Sequence, residues 1–279
     1  MLKIAFKGFT NDAAEFYDPK VWKFPCGEVG VQLTTEILAN LASPKLTEVG
    51  IKVEFSSNDD LFALAQLVDA IRAVNLDVAI SAWIPYFPYA RQDRRANLGE
   101  GHALKIACQF INQLNFKYVC VDDAHSTVLE ALLDRLAPYP QEKCARELPK
   151  FDVLLAPDAG AEKKIFKHNQ VALGTEVICA SKVRSPEGKI TKTVLPYGGR
   201  LTGKTVCIVD DLCDGGATFL ELGRVAREFE PAELCLYVTH GMFTNPEKFV
   251  ELNDLFDRIF VYNLRPEAKK QFSQYVEQI

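Results

Sequence analysis

Short runs rich in valine and isoleucine alternate with helical patterns along the chain, and that alternation restricts the fold more than any other feature. The runs are Val49–Phe55, Leu76–Ala82, Tyr118–Asp122, Val153–Ala156, Val177–Ala180, Val206–Val209, Leu234–Thr239 and Arg258–Val261. Each is too short to be a helix core and apolar enough to be a buried strand. Between them, apolar residues recur three and four apart. Leu61, Leu64, Leu67, Val68 and Ile71 make one such face behind a cap at Asn58. His102–Leu114, Val128–Leu136, Gly160–Lys167, Gly216–Phe229 and Pro266–Ile279 are further helical stretches. Strands alternating with helices predict an α/β fold of mainly parallel sheets flanked by helices. The proline-rich segment Pro138-Tyr139-Pro140 breaks the pattern near the middle. It predicts two similar α/β domains, residues 1–140 and 141–265, with a closing helix over residues 266–279 that docks on one of them.

Composition excludes several classes of function. With a net charge of −5, the chain has no excess of cations for a broad nucleic-acid surface. No apolar run approaches the roughly 20 residues of a membrane span. Met1-Leu2-Lys3-Ile4-Ala5-Phe6 reads as a first strand rather than a secretory leader. The eight cysteines contain no Cys-x-x-Cys spacing, so neither zinc nor a disulfide framework is expected. Reduced thiols acting as small hydrophobes predict a cytoplasmic protein.

Val206–Thr218 joins an apolar strand to the acidic pair Asp210 and Asp211, a turn at Asp214-Gly215-Gly216, and a helix. Glycines let the backbone curl so that several N–H groups face one anion, and the helix start adds its dipole. Carboxylates can accept hydrogen bonds from sugar hydroxyls. An ordinary strand–loop–helix junction with solvated acids would use the same residues. Gly198–Thr205 matches the pattern G-x-x-x-x-G-K-[ST] letter for letter. That motif must follow a strand and open a helix to bind phosphate. Here a strand follows it, so a turn is expected instead.

The Val206–Thr218 segment resembles the loop that holds phosphoribosyl diphosphate in type I phosphoribosyltransferases and in the ribose-phosphate diphosphokinases (PRPP synthetases). Pro88-Tyr89-Ala90-Arg91-Gln92-Asp93, within Pro85–Arg95, resembles the ATP-binding signature of the diphosphokinases. Arginine forks bind phosphates bidentately and stack on bases. The resemblance implies that Arg91, Gln92 and Asp93 bind ATP. Phe24-Pro25-Cys26-Gly27-Glu28 is similar to a family segment whose aromatic ring stacks on adenine from a neighbouring subunit. It implies ATP-binding roles for Phe24 and Glu28, and a homo-oligomer of two or more chains; Cys26 departs from the usual acid or amide. Asp122-Asp123-Ala124-His125 resembles a segment that places the Mg–ATP complex, with Asp123 and His125 at the metal and His125 also at ATP. Asp158, in Pro157-Asp158-Ala159-Gly160, would touch the ribose phosphate or its metal. Ser181-Lys182-Val183-Arg184 resembles the base of a catalytic loop, which would run on through Ser185–Lys189. Lys182 and Arg184 take the catalytic positions there.

On this resemblance the fold is phosphoribosyltransferase-like and the 1-hydroxyl of a ribose phosphate attacks the β-phosphorus of ATP, releasing AMP. Asp210 and Asp211 would hold the ribose hydroxyls, while Asp214, Gly215, Gly216, Ala217 and Thr218 would cradle the 5-phosphate. Mg²⁺ is the implied cofactor; ATP and a ribose phosphate acceptor are the implied partners, with neither nucleic acid nor membrane. The stretch Ala96–His102 departs from a family segment tied to regulation. Gly215-Gly216-Ala217 stands where the family commonly has Thr-x-Gly, which leaves ADP-ribose as an alternative, bulkier acceptor. A phosphoribosyltransferase would need the cradle but not Arg91, His125 and Lys182 together. A regulatory homologue without activity would be expected to carry damage at the cations or the acidic pair.

Overall fold

A computed structural model of the chain describes residues 1–6, 15–184 and 190–279. The catalytic-loop stretch Ser185–Lys189 lies outside the described residues. The described chain divides into two compact units, Met1–Tyr139 and Pro140–Ile279.

The first unit runs β1 (Leu2–Ala5), β2 (Lys20–Lys23), β3 (Val29–Gln32), α1 (Thr35–Leu41), β4 (Glu48–Val53), α2 (Asp59–Val74), β5 (Ala79–Ile84), α3 (Ala103–Gln113), β6 (Val119–Asp122), α4 (Val128–Leu132) and β7 (Leu136–Tyr139). Its main sheet has the order β1-β4-β5-β6-β7. Only β1 is antiparallel to its neighbour; the other pairs are parallel. Val49, Ile51, Ile80, Ala82, Val119 and Val121 of this sheet pack in one core with Leu64, Leu67, Ile71, Leu104 and Ile111 of the helices. Those helical residues fall on one stripe because side chains three and four apart share a face.

Two local expectations change, and one element was not expected. Asn58 is not the cap of α2: its backbone is already helical and its side chain makes no capping bond. Instead the Asp60 carboxylate reaches back to accept from the amides of Ser56 and Ser57, each at 2.8 Å. The helix expected over Val128–Leu136 stops at Leu132. Arg135 then takes a left-handed φ of 56°, and Leu136–Tyr139 forms an edge strand parallel to β6. Pro138 can sit there because an edge strand has one side whose N–H groups need no partner. The hairpin of β2 and β3 is a third difference: Lys20–Lys23 is exposed throughout and carries no alternation of burial.

The second unit runs α5 (Gln141–Cys144), β8 (Val153–Ala156), α6 (Ala159–Ile165), α7 (Asn169–Ala172), β9 (Glu176–Cys179), β10 (Ser181–Arg184), β11 (Ile190–Val194), β12 (Thr205–Cys213), α8 (Ala217–Arg227), β13 (Glu233–Gly241), α9 (Pro246–Leu255), β14 (Arg258–Leu264), α10 (Pro266–Phe272) and β15 (Glu277–Gln278). Its main sheet has the order β15-β14-β13-β12-β8-β9 and is parallel at every pairing. Strands buried on both faces read as continuous apolar runs. Leu155, Ile208 and Leu236 face one cluster, while Leu154, Cys207, Val209 and Tyr237 face the other. The units share a sequential parallel run, β4-β5-β6-β7 in one and β8-β12-β13-β14 in the other. They differ at the edge beside that run, where β1 precedes it and β9 follows its first strand.

The closing helix is shorter than expected. It ends at Phe272, and Glu277–Gln278 pairs with β14 as a last strand. Ala268, Phe272 and Val276 are buried in the second unit's core, with the Phe272 ring stacked on Phe249 at 3.9 Å between centroids. The eight cysteines are free thiols. Burial pushes the Cys235 thiol up to about 12, which suits a packing role.

Candidate active site

Parallel α/β sheets bind ligands at the carboxyl ends of their strands, in the crevice where the chain leaves neighbouring strands in opposite directions. The second unit has such a point between β8 and β12, because the chain goes from β8 to β9 on one side and returns to β12 on the other. Asp158 follows β8, and Asp210 to Thr218 ends β12 and opens α8. The topology therefore brings together most of the residues read as ribose-phosphate ligands.

β12 extends further than its apolar run. Leu212 and Cys213 pair with His240 and Gly241 of β13, so the acidic pair lies inside the strand rather than after it. Asp210 Oδ1 accepts from the Asp211 amide at 2.8 Å. Asp211 is only 7% exposed. Burial pushes the Asp210 carboxyl well above the ordinary carboxylate range, and the neighbouring charges of Asp211 and Asp158 push the same way. The charges of these three acids thus act on one another, and Lys164 Nζ, 3.3 Å from Asp211 Oδ2, supplies a cation beside them. Asp158 caps α6, accepting from the amides of Gly160 at 3.0 Å and Ala161 at 3.2 Å.

The turn after β12 is fixed from two sides. Thr244 donates its hydroxyl to Asp214 Oδ1 at 2.7 Å and its amide to the Asp214 carbonyl at 3.1 Å. Gly216 caps α8 with a left-handed φ of 82°. A Cβ there would come within 2.9 Å of Leu252 Cδ1, whereas one at Gly215 would meet nothing within 4 Å. Only the second glycine is dictated by backbone and space. From it, the first-turn amides of α8 begin without intrahelical partners, with Ala217 and Thr218 exposed beside them. That is a ready anion site.

In the first unit, the loops after β5 and β6 meet at the carboxyl end of the sheet. The Asp122 amide donates to the Pro85 carbonyl at 3.2 Å. Asp122 is buried and accepts from the Trp83 indole at 3.0 Å. Asp123, also buried, holds a left-handed φ of 39°, and its amide donates to the Tyr139 carbonyl at 2.7 Å. A non-glycine residue in that region is uncommon and marks a backbone set by its surroundings. Tyr89, at φ 60°, turns the chain into Arg91, Gln92 and Asp93; its hydroxyl bonds Asn58 Oδ1. Arg91, Gln92 and His125 are exposed and Asp93 is half-buried. The structure thus places Arg91, Gln92 and Asp93 on one loop and Asp123 and His125 on its neighbour. Phe24 and Glu28 lie elsewhere, at the tip of the β2–β3 hairpin. The Phe24 amide donates to the Glu28 carbonyl at 2.8 Å, and Gly27 takes φ 96° to close the turn.

Lys182 and Arg184 belong to β10, whose register partners are Thr193 and Ile190 of β11. The two strands form a ladder of their own.

Curated proteins named ribose-phosphate pyrophosphokinase match most of the chain. One from Mycoplasma genitalium is 29% identical over 231 residues, covering 77% of this chain and 68% of its own length. One from Vibrio cholerae is 27% identical over 260 residues, covering 88% and 77% respectively. The chain is a homologue of the ribose-phosphate pyrophosphokinases. No family model matches it. The fold agrees: the crystal structure of a phosphoribosylpyrophosphate synthetase from Mycobacterium smegmatis superimposes with a TM-score of 0.75 at 19% identity, over 94% of this chain and 85% of that one.

Sequence reasoning missed one member of the acidic site. Lys164, on the last turn of α6, places Nζ 3.3 Å from Asp211 Oδ2, with side chains 24% and 9% exposed. The signal is present, since Lys164 stands three positions after Ala161 and next to Ile165, the apolar pair of α6 that is buried in one cluster with Cys207 and Val209 of β12. Thr244, which clamps Asp214, carries no signal of its own.

Proposed function

We propose that the protein transfers the diphosphoryl group of ATP to the 1-hydroxyl of ribose 5-phosphate, giving 5-phosphoribosyl 1-diphosphate and AMP. The observation that carries this reading is the acid-and-glycine turn at the switch point of the second sheet, in a chain whose relatives are named for that reaction. In this reading Asp210 and Asp211 accept hydrogen bonds from the ribose hydroxyls. The amides of Gly215 to Thr218, with the Thr218 hydroxyl, hold the 5-phosphate. Arg91, Gln92, Asp93 and His125 bind ATP, and Lys182 and Arg184 stabilise charge on the β-phosphoryl group as AMP leaves. Phosphoryl transfer needs such positioning and neutralisation more than covalent help. The larger acceptor and the regulatory homologue are not favoured by the comparisons.

Among the described residues, no group of three or more His, Cys, Asp and Glu is placed to hold a metal ion unaided. Magnesium is commonly held by one or two carboxylates together with substrate phosphates and water. The crowded carboxylates around Asp158 fit that donor set, and Asp123 with His125 would serve at ATP. Bound Mg²⁺ would neutralise phosphate charge. A homo-oligomer belongs to the same reading, supported by Val21, Trp22 and Phe24, which are 47%, 41% and 44% exposed on one hairpin. So does a cytoplasmic location; among the described residues no helix is long and apolar enough to cross a membrane.

Incubation with Mg–ATP should release AMP only when ribose 5-phosphate is present. AMP release without the sugar, or none with it, would refute the reading. Lys164→Ala removes the ammonium at Asp211 Oδ2, so it should raise KM for ribose 5-phosphate about tenfold, the loss of one charge-assisted hydrogen bond. KM for ATP should stay near wild type in the same steady-state assay.

A further inference from the structure

The strand that carries Lys182 has little structure of its own to hold it. β10 and β11 form a two-stranded ladder outside the six-stranded sheet, and an isolated hairpin is marginal in water. What it packs on therefore decides where it sits. β11 packs on α8, and a side-chain hydrogen bond joins them. The Thr193 hydroxyl donates to Glu221 Oε1 at 2.6 Å, the short range typical of a carboxylate acceptor. Thr193 is 5% exposed, so the bond forms at a sheltered contact. Two positions give it meaning. Thr193 is the register partner of Lys182, and Glu221 lies about one turn beyond Thr218 on the helix that begins at the anion-binding turn.

We propose that Glu221, acting through Thr193, is a positioning residue for the reaction, a latch that sets the strand of Lys182 and Arg184 against the helix at whose start the 5-phosphate is held. The inference rests on the reading of the reaction given above. The latch would give the catalytic strand and the phosphate cradle one common reference, α8. It would act on the rate of transfer and not on acceptor binding, because neither Thr193 nor Glu221 belongs to the cradle.

Three variants of the full chain test this: Thr193→Val, which removes only the hydroxyl, Glu221→Ala, and Glu221→Gln, which keeps an acceptor oxygen. Thr193→Val and Glu221→Ala should lower kcat about tenfold, the effect of one lost charge-assisted hydrogen bond, while KM for ribose 5-phosphate stays within about twofold. Glu221→Gln should retain most of the rate. Hydrogen exchange supplies a readout independent of turnover: amides of residues 181–184 and 190–194 should exchange faster in Thr193→Val and Glu221→Ala, with α8 unchanged. Unaltered exchange in the hairpin would overturn the latch, as would faster exchange with an unchanged kcat or an equal rise in KM. Failure of the wild type to form AMP would refute the reaction instead, leaving the exchange result to decide the latch. Glu221 is exposed, so its variants keep the test open if Thr193→Val does not fold.

Discussion

Lys182→Ala is expected to lower kcat by about 10²–10³-fold, with a smaller change in either KM, the pattern of a lost contact made only in the transition state. As AMP leaves, negative charge builds on the bridging and non-bridging oxygens of the transferring group. A cation aimed there stabilises the transition state more than the bound substrates. By analogy with lost oxyanion donors, the barrier should rise by about 2.7–4 kcal/mol. Steady-state kinetics against both substrates makes the comparison, with Arg184→Ala as a parallel case. A Lys182→Ala enzyme within tenfold of the wild-type kcat would remove Lys182 from the catalytic role.

Gly216→Val should damage both stability and acceptor binding, and the contrast with Gly215→Ala isolates the cause. Gly216 takes φ 82°, and its Cβ would press on Leu252 Cδ1 at 2.9 Å. A β-branched residue held in that backbone region costs about 1–3 kcal/mol. Moving Leu252, a buried core residue, adds an overpacking cost of about 1–3 kcal/mol. The turn would rearrange to escape both, carrying the first amides of α8 away from the phosphate. Thermal melting should therefore fall by several degrees, and kcat/KM for ribose 5-phosphate should fall with it. A Cβ at Gly215 would meet no atom within 4 Å, so Gly215→Ala should melt close to wild type. Equal melting of Gly216→Val and wild type would contradict this account of the turn.

The parallel sheets are legible in the sequence because their central strands are buried on both faces and so appear as uninterrupted apolar runs. Val153–Ala156 matches its apolar run to the residue. The edges are not legible. β7 carries a proline and follows a helix with no glycine between them, β2 is exposed along its length, and the closing strand Glu277–Gln278 is too short to show a period. The loop after β12 is legible as chemistry, since acids and glycines after an apolar run have few other uses. Its support is not. Lys164 and Thr244 act through contacts between elements far apart in sequence, and Glu221 lies on an exposed helical position where a carboxylate is ordinary. Asn58 fits the cap pattern, but the backbone is already helical there and Asp60 takes the amides. Local propensity proposes such caps; the path of the chain into the helix decides them.

In the proposed reaction an activated ribose is made by moving two phosphoryl groups as one. Phosphorus NMR of a reaction with Mg–ATP and ribose 5-phosphate tests it most directly. AMP and a sugar C1-diphosphate should form in equal amounts, with both phosphorus atoms of the new group derived from the β and γ positions of ATP. Formation of ADP with a sugar that carries a single phosphate at C1 beside its 5-phosphate, or release of inorganic diphosphate with no sugar product, would contradict it.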